Sequence, residues 1–203
     1  MRFLRTKFSF SPALLVLALF TLVACVSPVK SERVFLLADG VNAELPQFVA
    51  PAETLVLRHE ICANYDGREE NFTGIVKWTD SELTVVALSP LGRIFTATCT
   101  AAGDVFGEAS DMLPHREKLA AQYPLWEMML VIFPIEKIRD ALPAGTEIVE
   151  LENATCGRVR ELSQGGKIVV RIEFSGADFT SGKIVFRNLL RGYAYEMLRP
   201  DDE

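Results

Sequence analysis

The sequence predicts an α+β domain in which two runs of strands flank a small group of helices. Three observations predict it. Runs rich in β-branched and aromatic residues, separated by tight-turn residues, fill residues 53–99. A polar stretch and then an almost unbroken apolar one occupy the middle of the chain. Strand-like runs return from 147 to 198. Helices gathered in the middle of antiparallel strands belong on one side of the sheet.

In the first half, strands are expected at 53–61 (ETLVLRHEI), 72–79 (FTGIVKWT), 83–89 (LTVVALS) and 92–99 (GRIFTATC). Asp66-Gly67, Thr79-Asp80-Ser81 and Ser89-Pro90-Leu91-Gly92 supply the turns between them. Connections this short make consecutive strands antiparallel neighbours. Alternation puts Leu55, Leu57 and Ile61 on one face of the first strand, and Phe72, Val76 and Trp78 on one face of the second. Ahead of these, residues 26–46 are short on periodic pattern and read as a tether followed by a first strand.

The middle begins with 114–122 (PHREKLAAQ), polar helix material with Pro at a plausible first position. LWEMMLVIF follows and stops at Pro134. It is too apolar for a surface helix and too short to cross a bilayer, so it belongs between layers. Residues 135–142 add a short amphipathic helix, ended by Pro143-Ala144-Gly145. The second half predicts strands at 147–151, 157–162, 167–174, 182–186 and 192–198. In the third of these, Ile168, Val170, Ile172 and Phe174 oppose Val169, Arg171 and Glu173.

The N-terminus carries a different signal. MRFLRTK holds Arg2, Arg5 and Lys7 with no acid, and an apolar run from Ala13 leads directly to Cys25. This is the layout of a secretory signal peptide, and its core of about twelve residues is too short for a spanning helix. Leu22-Val23-Ala24-Cys25 resembles the bacterial lipobox. That resemblance implies cleavage between Ala24 and Cys25, with acylation of the Cys25 thiol and of the new amine. Two or more chains anchor stably where one is marginal. It further implies, from Val26 where an Asp would signal retention, the periplasmic face of the outer membrane. The chain therefore divides into a signal peptide (1–24), a lipidated N-terminus and tether (25–45) and a single domain (46–203).

Removing the signal takes away three of the 21 basic residues and none of the 27 acids, leaving 18 against 27 and a net charge of −9. That acidity excludes a nucleic-acid partner, which needs a basic footprint. Attachment to a membrane should then rest on the acyl chains. After Cys25, the cysteines Cys62, Cys99 and Cys156 allow one bridge in three pairings or serve as small buried hydrophobes. Cys62 and Cys99 end strands at opposite rims, so that pair is not expected to join.

Catalytic chemistry is not expected. No GxSxG, HExxH, GxxxxGKS or GxGxxG pattern occurs, and the two histidines, His59 and His115, read as structural. No pair of acids stands out, and Arg158, Arg160 and Arg171 read as single exposed charges on strands. Neither metal nor cofactor is implied.

Several pieces, in order, carry a resemblance: Leu45-Pro46, 88–95 (LSPLGRIF), 124–134 (PLWEMMLVIFP), 142–145 (LPAG) and 166–196 (GKIVVRIEFSGADFTSGKIVFRNLLRGYAYE). They resemble a bacterial lipoprotein family of unknown function found beside aryl-polyene and related lipid-synthesis genes. That family is similar to the outer-membrane lipoprotein receptor LolB and its carrier LolA. The resemblance implies a strongly curved antiparallel sheet, a half-open barrel, with two or three helices covering its concave face. It also implies hydrophobic cargo: lipid, acyl or polyene chains, or the acyl groups of lipoproteins. LolB-like receptors deliver cargo through a loop with an exposed leucine. The positional match is Leu91, in a turn so tight that a half-buried leucine is the competing reading.

Trp78, Phe95, Trp126, Met128, Met129, Phe133, Phe174 and Phe186 form an excess of broad or flexible apolar side chains. As a set they suit a lipid pocket; equally, they suit an ordinary core. The expected function is an outer-membrane-anchored binder of hydrophobic cargo. The alternative is a structural or adaptor lipoprotein with a packed interior.

Overall fold

The computed structural model describes residues 29–110, 120–153 and 157–200. Ala24, Cys25, His115 and Cys156, and most of the expected polar helix at 114–122, lie outside them.

Two antiparallel meanders build one sheet. The first comprises β4 (Leu55–Tyr65), β5 (Arg68–Trp78), β6 (Glu82–Ser89), β7 (Gly92–Thr100) and β8 (Val105–Ala109). The second comprises β9 (Thr146–Asn153), β10 (Gly157–Gln164), β11 (Lys167–Phe174), β12 (Ile184–Asn188) and β13 (Tyr193–Leu198). β13 pairs with β4 and so fuses the two, while the short β1 (Val29–Ser31) adds to β8. The result is an eleven-stranded sheet in the order β1-β8-β7-β6-β5-β4-β13-β12-β11-β10-β9, curved but not closed. All its pairings are antiparallel, as the short connections predicted.

Turn chemistry sets the register. Asp66 and Gly67 have φ of 53° and 72°, the doubly positive geometry of a two-residue turn that matches strand twist, and Tyr65 pairs with Arg68 across it. Gly165 and Gly166 (φ 57° and 77°) do the same between β10 and β11.

Residues 29–44, where a tether and a first strand were expected, form β1 and a separate hairpin of β2 (Val34–Ala38) and β3 (Val41–Glu44). β8 had no sequence signal. It is short, and among its residues only Val105 is deeply buried. The helical content is small: α1 (Gln122–Ile132) is the apolar stretch, and α2 (Ile135–Arg139) follows after Pro134. In the described residues the domain is thus mostly antiparallel sheet with two short helices.

α1 lies in the hollow of the sheet. Leu125, Trp126 and 128–132 are all buried, which leaves almost no solvent face and explains why its apolar residues show little periodicity. They share one core with Leu57, Val76 and Trp78 of the first meander and Leu162, Ile172 and Phe174 of the second. Gly107 lets the chain approach β8 before α1 begins: a Cβ there would sit 2.7 Å from the Ala121 Cβ.

Candidate functional site

Among the described residues, the hollow of the sheet, the helix inside it and the hairpin across its mouth gather unusual groups. α1 is held differently at its two ends. At the C-terminal end the carbonyls have no helical partners, and Arg160 of β10 supplies donors. Its Nη1 donates to the carbonyls of Leu130 (2.7 Å) and Phe133 (2.8 Å), while Nε donates to Glu150 (2.5 Å). Only 6% of Arg160 is exposed, and burial pulls its pKa down while Glu150 opposes this. The expectation of an exposed single charge is therefore corrected. Arg160 alternates in phase with Leu162, so its guanidinium points inward and caps the helix.

At the N-terminal end the β2–β3 hairpin lies over α1 like a strap. The Phe35 ring packs against Tyr123 (5.6 Å) and Trp126 (5.2 Å). Arg191, from the turn between β12 and β13, donates to the Leu36 carbonyl at 2.7 Å and stacks over Tyr123 at 4.2 Å. Arg33 secures the other side, donating to the carbonyls of Leu45 (2.5 Å), Pro46 (3.0 Å) and Gly103 (3.2 Å). The strap thus bridges the mouth through side chains; its backbone ladder is internal to the hairpin.

Beneath it sits Glu127, the one charged residue of the apolar stretch. Tyr193 and Tyr195 donate their hydroxyls to its two carboxyl oxygens, the second at 3.2 Å, and Asn188 donates to the Tyr193 hydroxyl at 3.1 Å. Burial pushes Glu127 up to about 8, against the opposing pull of the Tyr195 hydrogen bond and the Arg191 charge. Burial, then the nearby Glu127, raises Tyr195 well above the ordinary tyrosine value. At neutral pH the carboxyl is therefore mostly protonated, so the mouth of the hollow holds a neutral polar cluster.

Met128 aside, the other seven pocket candidates fall as follows. Trp78, Trp126, Met129, Phe133, Phe174 and Phe186 are all buried in the single core. Trp78 stacks on Phe133 at 5.4 Å, and Phe186 stacks on Tyr195 at 4.7 Å. Phe95 is half-buried beside a small crevice with Ala97, Gly107 and Pro124. Met128 joins the core. The crevice beneath the strap, walled by Trp126, Glu127 and Phe186, measures about 10 Å³, room for about one water. A half-open cleft of about 530 Å³ lies elsewhere, between the segment after β3 and α2. Leu45, Phe48, Val49 and Leu142 give it apolar walls; Arg33, Glu44, Lys137 and Asp140 give it charged ones. None of the seven candidates lines it.

Leu91 is 83% exposed at the tip of the β6–β7 turn, which Ser89 braces by accepting from the Leu91 N–H at 3.3 Å. The half-buried reading of that leucine does not hold. Cys62 and Cys99 are both free thiols. His59 is buried on the inner face of β4. Among the described residues no cluster of His, Cys, Asp or Glu is arranged to hold a metal, and no helix is long and apolar enough to cross a membrane.

A family of proteins of unknown function, DUF3261, matches residues 56–197, from β4 to β13. The chain belongs to that family. The DUF3261 match takes in both meanders and α1 and leaves out the strap. No curated protein matches the chain.

Sequence reasoning missed Arg160 and the Glu127 cluster, although each left a trace. Arg160 keeps step with a core leucine, and Glu127 interrupts an otherwise apolar run. Tyr193 and Tyr195 alternate in phase with the buried Met197.

Proposed function

We propose that this protein is an envelope lipoprotein, held at the periplasmic face of the outer membrane by acylated Cys25, that binds apolar chains for transport or insertion. The observation that carries this reading is an unclosed, curved sheet whose inner face is apolar and occupied by an equally apolar helix. That is the arrangement a LolA/LolB-like half-barrel would have with its own chain in the place of cargo. Acyl or polyene chains would enter as the strap or α1 gives way. Burial at about 25 cal/mol per Å² then supplies affinity with few polar contacts. In this reading Leu91 is the side chain that touches the accepting membrane. This reading requires no covalent chemistry of the protein.

A second reading draws on the packing of the interior. Six of the seven pocket candidates share one core, with room beside them for no more than about one water, which suits a structural or adaptor lipoprotein. Native mass spectrometry of the mature protein extracted from the envelope separates the two. Co-purifying lipid, or uptake of labelled acyl chains, is expected of the carrier; neither is expected of the adaptor. Cys25→Ser should abolish cleavage and acylation, and normal processing of that variant would remove the anchor from both readings.

A further inference from the structure

The strand directions sort the turns of the sheet into two ends. At one end lie the turns at 66–67, 90–91, 165–166 and 189–192; at the other lie those at 79–81, 101–104 and 175–183. Of the exposed large apolar side chains, Tyr65 (65%), Leu91 (83%), Ile168 (42%), Leu189 (53%) and Leu190 (47%) lie at the first end, while Val56, Leu151 and Leu198 lie on strands toward the second. Among the described residues, the turns of the second end carry no large exposed apolar side chain. This apolar rim, with leucines on two turns and Tyr65 and Ile168 on the strands beside two others, is left exposed by the described residues.

The direction of β1 says what lies against this rim. Val29 pairs with Gly107, and β1 runs antiparallel to β8, so the chain preceding Val29 heads toward the end that carries Leu91. Cys25 precedes Val29 by four residues, which span at most ~14 Å. Gly107 pairs with Ala97, and Gly92 is five residues along β7 from there, a distance of roughly 17 Å. An acylated Cys25 at full extension toward this end would reach about the level of Arg93, which keeps this end within a short reach of the bilayer.

We infer that this rim is a membrane-docking surface. The domain stands on a phospholipid bilayer with Leu91, Leu189 and Leu190 dipped into it and the turns at 79–81 and 101–104 pointing away. This rests on the anchor proposed above, and it goes beyond Leu91 by fixing which end of the whole domain meets the membrane. The rim holds charges of both signs, among them Asp66, Arg68 and Glu69, so apolar insertion and not headgroup charge drives the contact. Contact should be the same on zwitterionic and anionic vesicles and insensitive to salt.

The test uses the mature full-length protein in phospholipid vesicles whose acyl chains carry bromine, a short-range quencher of tryptophan. L91W and L190W place reporters on the rim and A102W places one at the far end; Trp78 and Trp126 give a buried background. The emission added by L91W and L190W should be mostly lost on brominated vesicles, and that added by A102W retained. Equal retention at both ends in protein shown by mass to be acylated overturns the docking surface alone. Unmodified Cys25 overturns the anchor and the docking together. Rim reporters that become shielded from solvent without bromine quenching indicate a protein on the rim, and that also overturns the proposal. Cargo uptake is read separately, so its failure is not confused with either.

Discussion

The two ends of the domain close the turns between strands with different side chains left outside. At the end away from β1's approach, polar side chains seal the turns. Thr79 accepts from the N–H groups of Ser81 (3.2 Å) and Glu82 (3.1 Å), and Asp178 accepts from Thr180 at 2.7 Å. That end also fixes α1, through Arg160 and the Trp78–Phe133 stack. At the opposite end two turns rely on positive-φ backbone geometry, two are braced by Ser89 and Asn188, and leucines are left outside. There α1 is held by a hairpin strap and a protonated carboxyl. One end is built to stay as it is; the other keeps apolar surface available and depends on an ionisable group.

The largest blow to this contrast should come from the fixed end. Arg160→Ala strips the cap from the α1 carbonyls and leaves Glu150 without its close partner. Glu150 is exposed and keeps Arg158 at 3.6 Å, so the loss is that of the buried carbonyls left unpaired, about 1–3 kcal/mol for each, measurable as a lower urea midpoint. A loss under 1 kcal/mol would show that the helix is not held there.

The next effect belongs to the other end and depends on pH. Glu127 is raised to about 8 in the folded protein from an ordinary 4.5. Between those values the folded state binds more protons than the unfolded one, so stability falls as pH rises, and levels off above pH 8. Glu127→Gln keeps an acceptor for the tyrosine hydroxyls and removes the ionisation. It should flatten that slope and stabilise the protein at pH 8 by a few kcal/mol. Chemical unfolding at pH 5 and pH 8 checks this; an unchanged slope would mean the carboxyl is ionised where it stands.

Smallest is the effect at a single sealed turn. Thr79→Ala should cost about 1 kcal/mol, with no change in the pH dependence.

Much of the sheet was legible because strands announce themselves through alternation and through turn residues. Asp66-Gly67 and Ser89-Pro90-Leu91-Gly92 mark hairpins by a local steric rule that needs no tertiary partner. β11 was read with its observed bounds, and the apolar stretch was placed between layers as α1 is. β8 and the β2–β3 hairpin were not foreseen, since short edge strands bury few side chains and so leave little alternation. Whether the aromatic set lines a pocket or fills a core was equally beyond the sequence, because both demand the same residue types.

By itself, then, the sequence determined which segments extend, where they turn, that consecutive strands run antiparallel and that one helix must be hidden. Those follow from side-chain periodicity and backbone sterics, which act over a few residues. Only the tertiary structure decided that β13 joins β4, that Arg160 reaches the end of α1, and that Glu127 meets Tyr193 and Tyr195. Each of these joins residues 30 to more than 130 positions apart. What selects them is the collective burial of one core, and no local pattern records it.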